Sequence, residues 1–199
     1  MTGAVYLDLS KAFDLVNHEL LLDKLALYHV SPSCLELFRS YLGERRQYVF
    51  VNGKRSSEGL IKCGVPQGSI LGPLFFTIYI NDLPLYLSSR SNVRCSLFAD
   101  DTTLDVSSSS VSVINESLQS SLDAIGKWCE DNCMKLHPSK TESMLIATRQ
   151  KLQLHPPPLR LFLNSEPINQ VTEHRLLGVT VDSQLSWHEH VERVCKKTL

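Results

Sequence analysis

LFADDTTL, residues 97–104, sets two adjacent aspartates between two short β-prone runs, Val93 to Phe98 and Thr103 to Val106. Apolar and β-branched residues flanking a small acidic cluster predict a hairpin with Asp100 and Asp101 at its tip. AVYLDL (residues 4–9) poses the same problem: it reads as a short buried strand, and Asp8 stands where that strand runs out. Ionised carboxylates are poorly tolerated in apolar surroundings, and like charges side by side raise each other's pKa. A hard divalent cation relieves both difficulties, since Mg²⁺ takes oxygen ligands and is commonly held by one or two carboxylates completed by substrate phosphates. Two such ions about 3.5 to 4 Å apart clamp the attacking and leaving oxygens of a phosphoryl transfer. The plainer reading of Asp100 and Asp101 is that they are turn residues, because aspartate is common in turns.

Outward from these acids the chain alternates irregularly between strand and helix signals. LLLDKLALYHV, with leucines at 21, 22 and 25, predicts a helix that Pro32 ends, and a second helical piece runs from about Cys34 to Leu42. Tyr48–Val51 and Leu60–Ile61 read as two strands around the turn Asn52-Gly53. Gly64-Val65-Pro66-Gln67-Gly68 is a loop, and a long apolar helix is expected from Ile70 to Leu87. Ile114, Leu118, Leu122, Ile125 and Trp128 recur at helical steps, the pattern of an amphipathic helix packed on a sheet. Strands are expected at Glu142–Ala147, near Leu159–Leu163, and at Leu176–Val181. This order predicts an α+β fold, a small antiparallel sheet backed by helices, with no internal repeat and no second-domain boundary.

Composition bounds the function. With 43% hydrophobic residues, 21% charged residues and a net charge of -1, the chain is expected to be globular, and it lacks the basic excess of a self-sufficient nucleic-acid binder. The N-terminus has no secretory pattern, and the most apolar window, Ile70 to Leu87, is broken by Pro73, Asn81, Asp82 and Pro84, so no membrane span is predicted. An intracellular setting follows, in which the six cysteines are free thiols.

Read together, LDLSKAFDLVNH (7–18), SYLGERRQYVFVNG (40–53), GVPQGSILGPLFFTIYINDLP (64–84), LFADDTTL (97–104), MKLHPSKTESMLI (134–146) and LLGVTVDSQLSWHEHV (176–191) resemble the successive palm motifs of non-LTR (LINE-type) retrotransposon reverse transcriptases, nearest to the jockey-like group. The resemblance implies an RNA-directed DNA polymerase that uses Mg²⁺, with Mn²⁺ as a substitute. RNA template, DNA primer or target, and dNTPs would be its partners. Palm would run from about residue 3 to 185 with the start of a thumb connection over 186–199. Fingers and thumb are only partial, their remainder coming from a longer polyprotein, and the location would be the nucleus or a cytoplasmic ribonucleoprotein.

Roles follow by position. Asp8 resembles the metal-binding aspartate of the first motif, and Asp100 the residue sharing both ions, with Asp101 in support. Lys140 resembles the lysine that protonates departing pyrophosphate, although His137 replaces the usual asparagine ahead of it. Phe13 resembles a steric gate against a 2′-hydroxyl. Gly64, Pro66, Gln67 and Gly68 resemble the loop beneath the incoming base and template, and Leu177 and Gly178 the primer grip. Arg45 and Arg46 are candidate contacts to template or primer backbone, and Asp14 is expected to cap the next helix. The GVPQGS spacing lacks the Gly-Lys-Ser/Thr ending of a phosphate-binding loop, which excludes an ATPase reading. Cys129, Cys133, His188, His190 and Cys195 lack structural-zinc spacing. The competing functional reading is a truncated, catalytically inactive remnant or a repurposed interaction module; an RNA-directed RNA polymerase fits poorly with Phe13.

Overall fold

Strand β1 (Thr2–Leu7) is buried from Gly3 onward, in keeping with its unbroken apolar run. The computed structural model describes residues 1–87 and 92–198. Three helices follow β1: α1 (Ala12–Leu15), α2 (His18–Leu27) and α3 (Pro32–Leu42). Next come four two-residue strands, β2 (Arg46–Gln47), β3 (Phe50–Val51), β4 (Lys54–Arg55) and β5 (Gly59–Leu60), and then helix α4 (Leu71–Ile80). Beyond a 3-10 turn at Leu83–Tyr86 lie β6 (Arg94–Phe98), β7 (Asp101–Ser107), the long helix α5 (Val111–Asp131) and β8 (Glu142–Ile146). Helix α6 (Arg149–Gln153) leads to β9 (Phe162–Leu163), β10 (Glu166–Pro167) and β11 (Asn169–Gln170). The last described elements are β12 (Glu173–Leu176), β13 (Val179–Asp182) and α7 (His188–Thr198).

These elements fall into two compact units: Met1–Ser10, Pro84–Trp128 and Leu136–Leu199 form one, and Lys11–Leu83 with Cys129–Lys135 form the other. The first unit is built on a five-stranded sheet of order β11-β8-β1-β7-β6, antiparallel except for the β11–β8 pair. Successive side chains of a strand alternate between faces. On the Gly3 face of β1 the backbone comes so close to α5 that a Cβ on Gly3 would lie 2.3 Å from Ile114 Cγ2 and 2.9 Å from Leu118 Cδ1. Ile114, Leu118, Leu122, Ile125 and Trp128 are all buried, as their helical spacing predicts. On the opposite face, Ala4 and Tyr6 cluster with Met144, and Leu176 packs against them from β12.

In the second unit, Asn17 caps α2 by accepting the Leu20 N–H at 3.1 Å. Tyr79 is fully buried in α4; its hydroxyl donates to the Asn132 carbonyl at 2.5 Å, and burial pushes its pKa up to about 12.

Four local expectations need correction. Pro32 opens α3 rather than merely ending α2: it sits in the first turn, where its missing N–H is harmless, behind the Ser31 cap. The expected helix Ile70–Leu87 stops at Ile80, because Pro84 cannot continue an α-helical ladder and forces the tighter turn at 83–86. Across Asn52-Gly53, both in the left-handed region, β3 pairs with Lys54–Arg55, whereas Gly59–Leu60 pairs with Arg46–Gln47. Leu176–Val181 is not one strand. Leu177 and Gly178, at φ 48° and 85°, fold it into the β12–β13 hairpin, as two-residue hairpin turns demand.

Gly3→Ala is expected to destabilise the chain by about 1 to 3 kcal/mol through overpacking against α5. Gly59→Ala, whose Cβ meets nothing within 4 Å, should change little by comparison. Urea unfolding of the two variants checks this, and equal midpoints would contradict it.

Candidate active site

The sheet register converts three separated residues into neighbours. In the β1–β7 pair, Leu7 faces Thr102, so the next step places Asp8 opposite Asp101. In the β1–β8 pair, Tyr6 faces Glu142, and two further steps reach Lys140. Lys140 Nζ lies 3.7 Å from Asp8 Oδ2. That oxygen is buried and, among the described residues, accepts no hydrogen bond, the lysine standing beyond hydrogen-bonding reach.

The turn carrying Lys140 is tied to Asp8 by main-chain atoms. The His137 N–H donates to the Asp8 carbonyl at 2.9 Å, and the Lys140 and Thr141 N–H groups donate to the His137 carbonyl at 3.1 and 3.0 Å. The fully buried Thr141 hydroxyl donates to that same carbonyl at 3.1 Å and accepts the Asp8 N–H at 3.4 Å. The substitution of histidine for asparagine at 137 therefore leaves the turn's backbone bonds in place, since none of them uses the side chain.

At the β6–β7 hairpin, Phe98 pairs with Asp101, leaving Ala99 and Asp100 as a two-residue turn with Ala99 at φ 52°. Burial, then Asp100, raise the Asp101 pKa above the ordinary carboxylate range; Asp8 adds to this and His174 opposes it. A cavity of about 240 Å³ is lined by Asp8, Asp101 and Lys140, together with Tyr6, His174 and Arg175. Asp100 sits beside this lining on the exposed turn rather than within it. Among the described residues, no three His, Cys, Asp or Glu side chains converge to hold a metal by themselves. Two facing carboxylates, one with an orphaned buried oxygen, nevertheless match how Mg²⁺ is held when substrate phosphates and water complete its shell.

His174 escaped the sequence reading. Its ring stacks on Tyr6 with centroids 3.8 Å apart, and its Nδ1 lies 2.7 Å from Glu142 Oε2. No local pattern announces such a contact. In the same unit, Leu177 and Gly178 occupy the hairpin turn, and Trp187 is 46% exposed, its backbone N–H donating to Asp182 at 3.0 Å.

The second unit holds the remaining candidates. Phe13 is half-buried and stacks on Phe76, centroids 4.4 Å apart. Asp14 does not cap α2, a place taken by Asn17; it lies within α1 and accepts from Gln67 Nε2 at 3.1 Å. Gly64, at φ 90°, lies so close to α1 that a Cβ would meet the Asp14 carbonyl oxygen at 2.7 Å. Gly68 is exposed at φ 77°. A groove of about 710 Å³ is lined by Lys11, Arg45 and Lys62 along with Gly64, Pro66 and Gln67. Arg46 is exposed on β2 and does not share that lining. Lys11 and Lys62 were not singled out because each is an isolated charge in the sequence.

A family model described as reverse transcriptase (RNA-dependent DNA polymerase) matches residues 2–181. The chain is 29% identical to the probable RNA-directed DNA polymerase from transposon BS of Drosophila melanogaster, covering 98% of this chain and 22% of that protein. It is 31% identical to the RNA-directed DNA polymerase from mobile element jockey of the same organism, covering 95% and 20%. The chain thus spans about a fifth of the length of these relatives. Among solved structures, apo telomerase from Candida tropicalis truncated from its C-terminal domain superposes with a TM-score of 0.63 at 14% identity, over 93% of this chain and 35% of that one. Telomerase from Candida albicans in complex with the TWJ fragment of telomeric RNA gives 0.62 at 16% identity, over 93% and 30%. These likenesses establish the fold, an α+β polymerase palm. No helix among the described residues is long and apolar enough to cross a membrane.

Because the Asp101 pKa is raised in the folded chain, the unfolded chain releases that proton first, and stability falls with rising pH between the two values. Asp100→Asn removes the largest charge contribution and is expected to lower the Asp101 pKa while burial still holds it above the ordinary range. A carboxyl ¹³C titration reads this directly; an unmoved Asp101 titration would contradict the assignment.

Proposed function

The chain belongs to the reverse transcriptase (RNA-dependent DNA polymerase) family, and from that premise we propose that it carries the catalytic carboxylates of a non-LTR retrotransposon polymerase joining dNTPs to a primer 3′ end on an RNA template. The observation that carries this reading is that Asp8 and Asp101, one register step past the Leu7–Thr102 pair, line one cavity, with Asp8 Oδ2 buried and accepting no hydrogen bond among the described residues.

In this reading Asp8 and Asp100 would hold Mg²⁺ or Mn²⁺ with Asp101 in support, Asp100 reaching in from the adjoining turn. Bound there, the ions lower the pKa of the primer 3′-hydroxyl and offset the triphosphate's charge. Lys140 donates a proton to pyrophosphate as it leaves, a role supported by its turn's backbone bond to Asp8. Phe13 excludes a 2′-hydroxyl sterically, and its stack on Phe76 fixes the ring for that purpose. Gln67 and Gly68 contact the nucleotide. Gly64, Pro66, Arg45 and Arg46 contact template or primer, with Lys11 and Lys62 adding cationic charge to the groove that Arg45 lines. The Leu177–Gly178 turn meets the primer end. Fingers and thumb come from a longer polypeptide, acting in the nucleus or in a cytoplasmic ribonucleoprotein.

Primer extension on poly(rA)/oligo(dT) with Mg²⁺ or Mn²⁺, by this chain and by a version extended upstream, is the test. Asp8→Asn, Asp100→Asn and Asp101→Asn should each lower incorporation by roughly 100-fold or more. Incorporation that survives these substitutions refutes the metal role. Phe13→Val should raise the ratio of ribonucleotide to deoxynucleotide incorporation, and an unchanged ratio removes Phe13 from the gate.

A further inference from the structure

The face of β1 that bears Asp8 also bears Ala4 and Tyr6, by strand alternation. The β12–β13 hairpin covers that face. Leu176 packs on the Ala4–Tyr6–Met144 cluster, and beyond the hairpin's open end the Ala147 N–H donates to the Ser183 carbonyl at 3.0 Å. Between these ties lies His174. Its ring is nearly parallel to that of Tyr6, at 5° and 3.8 Å between centroids, and its Nδ1 is 2.7 Å from Glu142, the register partner of Tyr6. The same ring lines the cavity that contains Asp8, Asp101 and Lys140.

We propose that His174 is a positioning residue that staples the β12–β13 hairpin to the sheet beside the facing carboxylates, and so sets where the Leu177–Gly178 turn presents a primer terminus. The two contacts constrain different motions. Stacking fixes the height of the hairpin above Tyr6 and keeps the ring flat, while the bond to Glu142 fixes rotation of the ring within its plane. A phenylalanine would keep only the first constraint, and an asparagine only the second. Glu142 and Tyr6 are cross-strand neighbours on β8 and β1, so the imidazole is referenced to the two strands that lead into Lys140 and Asp8. The consequence for catalysis rests on the polymerase reading above; the staple itself does not.

The experiment has two arms. In this chain, amide hydrogen exchange over Glu173–Asp182 is compared for wild type, His174→Ala, His174→Phe, Glu142→Ala and Glu142→Gln. Hairpin exchange should accelerate about tenfold or more in His174→Ala and Glu142→Ala, with β1 and β7 amides unchanged. Glu142→Gln, whose amide oxygen still accepts from Nδ1, should stay within about twofold of wild type, and His174→Phe should fall between the extremes. In the upstream-extended polypeptide, His174→Ala and Glu142→Ala should lower kcat about tenfold or more with the dNTP KM within about twofold, and Glu142→Gln should restore kcat. Unchanged hairpin exchange in His174→Ala, equal damage in Glu142→Ala and Glu142→Gln, or faster exchange with unaltered kcat each overturns the proposal. Should the wild-type extended polypeptide incorporate no nucleotide, the polymerase reading fails, and the exchange arm still decides the staple.

Discussion

Everything in the acidic pocket depends on β1 being paired on both sides in a single register. Between β7 and β8 it has no freedom to slide, and a slip of one residue would send Asp8 to the opposite face of the sheet while bringing Leu7 to the pocket. Gly3 enforces the register from one side, since only a glycine lets Ile114 and Leu118 come that close. Beyond the strand, the His137 N–H bond to the Asp8 carbonyl and the Leu9–Leu136 bridge continue the constraint. Two carboxylates that repel each other are thus held together by backbone bonds and core packing rather than by any attraction of their own.

The two faces of β1 divide that labour. On one, a long amphipathic helix buries Ile114, Leu118, Leu122 and Ile125 and supplies the apolar contact that anchors the sheet. On the other, past the Ala4–Tyr6–Met144 cluster, Tyr6 stacks on His174, His174 bonds Glu142 at 2.7 Å, and both rings line the cavity that Asp8 lines. The helical face tolerates no added volume at Gly3. The polar face leaves a cavity. A strand buried on both sides but chemically asymmetric explains why the uniformly apolar run Ala4–Leu7 is followed at once by an acid.

The clearest local signals in the sequence were those whose periodicity ran unbroken through one short stretch. The β-prone runs around the two aspartates do form a hairpin, although only Asp100 stands in its turn and Asp101 begins β7; the 3.6-residue pattern of Ile114 to Trp128 is a buried helix stripe, and the run up to Leu7 is a buried strand. Illegible features required knowledge of what a distant segment does. His174 acquires meaning only once β12 lies over Tyr6, and Lys11 and Lys62 only once α1 and the loop before Gly64 line one groove. Asp14 was read as a helix cap because aspartate favours that position, but Asn17 stands at the start of α2 and Asp14 takes Gln67 instead. Gly64 is expected in the loop beneath the incoming base and template. What approaches it in the structure is the backbone of Asp14, so its glycine requirement is already met within the fold.

Lys140 shows how such a site can be ready for a cation without being blocked by one of its own charges. Its ammonium partners Asp8 at 3.7 Å, yet its side chain is 65% exposed. Ion pairs at that exposure are worth only about 0 to 1 kcal/mol, because water competes for both partners and the long side chain loses freedom when held. On the proposed reading, a divalent cation interacting with two carboxylates at once would outcompete it. The backbone of the turn does not depend on that pair, since His137 and Thr141 hold it through hydrogen bonds of 2.9 to 3.4 Å. On the proposed reading, Lys140 can therefore swing from Asp8 to a phosphate oxygen while its Cα stays fixed, so that a proton donor remains beside the reacting groups without holding the carboxylate they need.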